Sequence, residues 1–280
     1  MNDKNISYRI VSLPPERRGM AAFQELKAGR HNMYALLEVD VTHAREFIAK
    51  FKAKTAEQLS FTGYLISCLA RAVDEDKTVQ SYRKGSRQLI LFDDVDVGLM
   101  IELQKGDQRL LTGHVIKSAN HKTYWDIHQE IRLVQSGEKQ TSEQQASWFR
   151  SAMQLPWPLS NIVRSILRLA IKNNPTLVTS MAGTVGISSV GMFGKGHTGW
   201  GIAIGSHVLD VVVGGTARKP AVVDGSIELR DILDLTIIFD HDVIDGAPAA
   251  RFTRKFVELV ESGYGLDEEH FNKSSASWKS

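Results

Sequence analysis

Apolar residues recur along this chain with two periods, and the switches between them mark its elements. From Met33 to Val41 the chain is rich in β-forming residues with partial alternation, which predicts a strand. Thr42 then suits a helix N-cap, and Phe47, Ile48 and Phe51 fall on one face of a helix running from His43 to about Lys54. Ser60 is placed to cap a second, almost wholly apolar helix reaching about Val73. Before these, Pro14 and Pro15 close an extended entry, and Glu16 to Ala28 reads as a helix stopped by Gly29. Arg87–Phe92 and Val95–Leu103 suggest a hairpin turning at Asp93–Asp94. Leu110–Ile116 reads as another strand and Tyr124–Gln135 as another helix.

Ser136 to Ser147 is polar. After it, Leu159, Ile162, Val163, Ile166, Leu167 and Ala170 keep helical spacing, with Arg164, Arg168 and Lys172 on the other side. From Gly183 onward short β-runs dominate: Thr184–Val190, Gly199–Ile204, Val208–Gly214, Ala221–Leu229 and Leu233–Phe239, closed by a helix from Gly246 to Glu261. No regular βαβ alternation and no fixed-period repeat is present. The expectation is an α/β two-layer sandwich, a mixed, largely antiparallel sheet covered by helices, built as one domain over residues 1–280. Its core would run over about 17–262, with 136–179 as an insertion and 263–280 as a polar tail.

Composition narrows the class. Lys and Arg number 34 against 32 Asp and Glu, so no large net field favours nucleic acid or an anionic surface. Cys68 is the single cysteine, which excludes an internal disulfide, and its apolar helical surroundings suit a small core residue. The N-terminal residues lack the apolar run of a signal peptide, and no stretch has the length of a membrane span. A cytoplasmic protein is the expectation. His31, His114, His197 and His207 show no metal-ligand spacing, so no metal is expected.

Two segments carry candidate chemistry. The apolar run Leu235–Phe239 leads straight into Asp240, His241 and Asp242, then turns at Asp245–Gly246 into a helix. An imidazole fixed at a strand end and presented to a cleft has the conditions of a general base near neutral pH. Asp245, four residues on, can fix the turn or hold a cation. The second segment, Gly183 to Gly194, sets Ser188 and Ser189 among glycines that let backbone N–H groups face a ligand. It lacks both the Lys-Ser/Thr ending of a phosphate loop and the spacing of a serine-hydrolase elbow.

With Tyr34–Thr42 and Leu91–Gly98, these segments resemble, in order and over roughly Arg17 to Glu261, the catalytic domain of the dihydrolipoyl acyltransferases of 2-oxoacid dehydrogenase complexes, and more distantly chloramphenicol acetyltransferase. The resemblance implies acyl transfer between coenzyme A and a thiol or other acceptor, in a homotrimer. His241 would be the general base, and Ser188 of a neighbouring subunit would steady the oxyanion. Asp245 would be structural, bridging to Arg17 or Arg18. No covalent lipoate is expected, because no lipoyl-type segment precedes the core, and a free-standing trimer is expected. Asp242 stands where the family usually has a basic residue, and an anion there would oppose phosphate or carboxylate groups. Two other functions fit the same fold: a structural or regulatory protein docking on a dehydrogenase complex, and an antibiotic-type O-acetyltransferase whose pocket would involve Trp157 and Trp200.

Overall fold

The structure, a computed structural model, describes residues 9, 30–105, 108–142, 159, 162, 163, 165, 166, 169, 170, 174, 176–189 and 198–266. The entry helix expected over 16–28 and all of the polar tail after residue 266 therefore lie outside the described residues, as do Arg17, Arg18, Trp157 and His197.

In chain order the elements are β1 (Asn32–Asp40), α1 (Thr42–Thr55), α2 (Phe61–Glu75), β2 (Tyr82–Lys84), β3 (Gln88–Ile90), β4 (Val97–Lys105), β5 (Gln108–Ile116), α3 (Tyr124–Gln135), α4 (Thr176–Ala182), β6 (Val185–Ser189), β7 (Leu209–Val223), β8 (Ser226–Asp240) and α5 (Gly246–Ser262). Six strands form one sheet in the order β1-β8-β7-β6-β4-β5. β1, β8 and β7 are mutually antiparallel, as are β4 and β5, while β6 runs parallel to both of its neighbours. The mixed α/β sandwich expected from the sequence is what forms.

The period-2 pattern of the strands decides which face is dry. Val185 and Ile187 of β6, Leu209, Val211 and Val213 of β7, and Leu233, Leu235, Ile237 and Phe239 of β8 all join one core. Against it pack Ala44, Phe47 and Ile48 of α1, most of α2, Trp125, Ile127 and Ile131 of α3, and Phe252 and Phe256 of α5. Burying a Leu or Phe of this kind contributes about 1.5–3 kcal/mol each. The intervening residues face the other way. Along β8 and part of β1 that second face is covered by the 198–206 segment, where Tyr34 Oη donates to the Ala203 carbonyl and Trp200 Nε1 to the Leu37 carbonyl. Elsewhere Leu36 and Met100 leave it open to solvent.

Several local expectations change. Thr42 is not the cap of α1: that position is Val41, and the Thr42 hydroxyl instead accepts from the Asp231 N–H at 2.8 Å, stitching the helix to β8. Ser60 does cap α2, its Oγ accepting from Gly63 N. The hairpin across Asp93–Asp94 does not form. β3 pairs back with β2 in a separate two-stranded sheet, and β4 pairs forward with β5. Gly199–Ile204 forms no strand. The three runs expected between 208 and 239 are two strands of 15 residues joined at Asp224–Gly225, both with positive φ (49° and 82°). That is the Asp-Gly geometry of a tight hairpin. Its distal half extends past β1 and β6 as a ribbon exposing Val222, Ile227 and Leu229.

Candidate active site

β8 delivers His241. Its last residue, Asp240, is buried and organises the turn that follows. The Asp240 carbonyl accepts from Val243 N and Ile244 N, both at 3.0 Å, and its Oδ1 accepts from Asp242 N at 3.1 Å. Arg30 approaches Asp240 Oδ2 at 3.6 Å. His241 N–H donates to the His31 carbonyl at 2.7 Å, one step beyond the last pair of the β1/β8 ladder, Asn32 with Asp240. The imidazole is half exposed, as a group that must meet a reactant has to be. Its Nδ1 lies 3.9 Å from Asp245 Oδ1.

Asp245 precedes α5 as its N-cap residue but makes no side-chain capping bond, and its carboxylate is 87% exposed. Its expected arginine partners are outside the described residues, and the partner it does meet is His241.

Asp242 is not the free anion that the sequence suggested. Its Oδ1 is 2.9 Å from His31 Nδ1, and its Oδ2 is 3.5 Å from Arg83 Nη1. The His31 hydrogen bond, backed by the charges of His31, Arg83 and His241, holds the Asp242 carboxyl below the usual carboxylate range. Spacing could not reveal His31 or Arg83, since His31 lies 211 positions from the carboxylate it meets.

Ser188 sits near the end of β6, half-buried. Its neighbour Ile187 joins the core, so strand alternation turns Ser188 to the opposite face. Pairing with β4 ends at Ile187, whereas pairing with β7 continues through Ser188 and Ser189. The described glycines of this segment serve packing, not ligand approach. Gly183 has φ +89°, and a Cβ there would strike Asp96 O and Gly98 N at 2.6 Å. A Cβ on Gly186 would run into Asp210 Oδ1 and the His207 ring. His207 and Asp210, which no sequence pattern singled out, brace this strand. His207 Nδ1 is 2.6 Å from Asp210 Oδ1, and its Nε2 is 2.9 Å from the Ala182 carbonyl.

The register fixes how far apart the two candidates are within one chain. Ser188 is level with Val212, and Val212 with Thr236, five residues before His241. Two strand spacings and five residues of rise put the two Cα atoms about 19 Å apart. β6 runs away from the end of β8 that carries His241, so within one chain the two groups are offset along the sheet and not within reach of one atom.

The other reactive groups have settled partners. Cys68 is buried, its thiol is pushed up to about 12 by burial, and it contacts the Leu259 carbonyl. His31, His114 and His207 pair separately with Asp242, Glu130 and Asp210. Among the described residues no three metal-ligating side chains meet, and no helix is long and apolar enough to cross a membrane.

The architecture is a mixed sheet lined by helices on one face, with a histidine on the turn leaving its longest hairpin. The model of the 2-oxoacid dehydrogenases acyltransferase (catalytic domain) family matches residues 9–147 and 154–266, and the chain belongs to that family. The dihydrolipoyllysine-residue acetyltransferase component of the pyruvate dehydrogenase complex of Rickettsia conorii is 23% identical over 260 residues, 91% of this chain and 54% of the relative. The chain thus spans about half the length of such relatives. Two solved structures share the fold at 20% identity. The probable dihydrolipoamide acetyltransferase of Listeria monocytogenes aligns over 94% of this chain and 97% of its own, with a TM-score of 0.65. The dihydrolipoamide acetyltransferase of Azotobacter vinelandii aligns over 94% and 95%, with a TM-score of 0.67.

Proposed function

We propose that this chain transfers an acyl group between coenzyme A and a thiol or hydroxyl acceptor, using His241 of one subunit and Ser188 of its neighbour in a homotrimer. The observation that carries the reading is the presentation of His241: half-exposed, on a turn fixed by Asp240, with Nδ1 toward Asp245. Family membership supports the reaction class. The relatives' dihydrolipoyl acetyl transfer makes a dithiol the first acceptor to try. The Azotobacter enzyme was studied for the roles of a serine, a histidine and an asparagine in catalysis, the last two spaced four positions apart, as His241 and Asp245 are here.

In this mechanism His241 Nε2 takes the proton of the acceptor S–H or O–H as that atom attacks the thioester carbonyl of acyl-CoA. The carbonyl π electrons move to oxygen, and the Ser188 hydroxyl donates a hydrogen bond to that oxyanion. When the tetrahedral intermediate collapses, the C–S bond to coenzyme A breaks and the departing thiolate recovers the proton from His241. A positioned base of this kind is worth about 10²–10⁴ in rate, and one oxyanion donor about 3–4 kcal/mol. The separation of the two groups along the sheet supports a shared site, because a donor and a base about 19 Å apart cannot serve one reacting atom.

The test is release of free coenzyme A thiol from a panel of acyl-CoAs with dihydrolipoamide as acceptor. Native protein is expected to turn over at least one of them, with His241→Ala slower by about 10²–10⁴. Equal rates for the two proteins would overturn the mechanism.

A further inference from the structure

We propose that Asp242 is a positioning residue for His241, acting through a clasp with His31 and Arg83; the inference rests on the role just given to His241.

The turn that carries the imidazole has weak local restraint of its own. Beyond Asp240, residues 241–245 belong to neither β8 nor α5, and Asp245 contributes no capping bond that would tie the turn to the helix. Among the described residues the ring's one ion-pair contact is Asp245 at 3.9 Å, too long for a hydrogen bond. What fixes its direction is the backbone of the turn, and above all the bond from His241 N–H to the His31 carbonyl. That bond is the terminal rung of the β1/β8 ladder, and ladder ends are where strands fray.

Asp242 closes this end. One carboxylate oxygen holds the ring of His31, the residue whose carbonyl supports His241; the other faces Arg83 on β2. Its own N–H is fixed by Asp240 Oδ1. His31 is therefore gripped twice, by the backbone of residue 241 and by the side chain of residue 242. Separating β1 from the turn requires breaking both contacts. The carboxylate at this position is thus spent inward, on holding the base, and not outward on a ligand.

Asp242→Ala removes both arms, Asp242→Asn keeps an oxygen for His31 but lowers the attraction to Arg83, and His31→Ala removes the imidazole arm while leaving the residue-31 carbonyl and the Arg83 arm in place. A misplaced base costs turnover more than binding. Asp242→Ala and His31→Ala are each expected to lower kcat by about 10- to 100-fold, with KM for acyl-CoA changing less than about threefold. Asp242→Asn should recover most of kcat. The double variant should be no worse than Asp242→Ala, since that substitution already removes both arms. Independently of any activity, hydrogen exchange of the His241 amide should speed up by about tenfold or more in Asp242→Ala, while the amides of Ile237 and Phe239 keep their protection. Native exchange at His241 in that variant would overturn the clasp even if the protein proves to be no transferase. Accelerated exchange with unchanged kcat would overturn the positioning role. Additive losses in the double variant would likewise overturn it, because His31 and Asp242 would then act separately.

Discussion

Asp245 Oδ1 stands 3.9 Å from His241 Nδ1, four residues along the chain, across the step from β8 into α5. At this separation, longer than a hydrogen bond, the carboxylate adds a charge preference for Nδ1 on its side to the direction that the backbone of the turn sets. No other charged group is recorded within ion-pair distance of that ring among the described residues.

If the contact tightens to a hydrogen bond in the reacting complex, a group of the same shape that can still accept from Nδ1–H replaces the carboxylate. Asp245→Asn is therefore expected to keep kcat within about threefold of native, and Asp245→Ala to lower it by roughly tenfold. Steady-state kinetics on the best acyl-CoA decides the matter. Equal losses in both variants would mean that the charge, not the orientation, is what His241 needs.

The distance between Ser188 and His241 makes a second prediction sharper than single substitutions allow. In the proposed three-fold assembly each site would take its base from one subunit and its serine from the next. Ser188→Ala and His241→Ala are each expected to be nearly inactive alone. Co-expressed in equal amounts and assembled at random, they should regain about one quarter of native sites, because half of the bases and half of the serines are intact. Activity that stays at the level of the separate variants, in verified mixed assemblies, would place both groups in one subunit's site.

The sequence made the secondary elements legible where one period ran uninterrupted. The helix of Tyr124–Gln135 has the expected bounds, closed at its start by a Thr123–Asp126 capping box. The strand ending at Asp240 and the helix after Gly246 fall where apolar periodicity and glycine put them. Pairing was less legible. Asp93–Asp94 looks like a turn between strands, but β3 finds its partner upstream at Tyr82–Lys84 and β4 pairs with β5, a choice made by the core and not by the local residues. The Asp224–Gly225 turn was readable, yet the apolar residues on both sides disguised it as one run. At the site, His241 and Ser188 stand out by motif. Their supports do not: His31, Arg83, His207 and Asp210 serve through contacts across strands. Asp242, read alone, looks like an exposed anion until its two partners are placed beside it.

Gly186 illustrates how little room the brace behind Ser188 leaves. A side chain at 186 would collide with Asp210 Oδ1 and the His207 ring. Neither can retreat freely, because Asp210 Oδ2 also holds the backbone N–H groups of Ser206 and His207, and His207 Nε2 is bonded to Ala182 O. Gly186→Ala is expected to lower stability by about 1–3 kcal/mol, the range of overpacked cores, measured by denaturant unfolding. A variant as stable as the native protein would show that the pair is free to move.

Far from the site, Glu130 of α3 binds the sheet to its helices through charge. Its Oε1 meets His114 Nε2 at 3.1 Å and Lys139 Nζ at 2.7 Å, and its Oε2 meets Lys122 Nζ at 2.7 Å. Burial alone would raise its pKa, but the hydrogen bonds from His114, Lys122 and Lys139 hold it down to about 2. A carboxyl whose folded value lies below its unfolded one stabilises the fold in full above the unfolded value and loses that stabilisation as pH falls toward the folded value. From about 4.5 to about 2, the shift corresponds to about 3 kcal/mol. Glu130→Gln should therefore be less stable than native by about this amount at pH 7, where it also leaves two lysines without their counter-charge. Urea unfolding followed from pH 7 to pH 3 should show the two proteins separated by a constant gap down to about pH 5, then converging as the native carboxyl takes up its proton. A gap that stays constant to pH 3 would mean that Glu130 holds its partners by hydrogen bonds a neutral amide can replace in part, and that its charge carries none of the pH dependence.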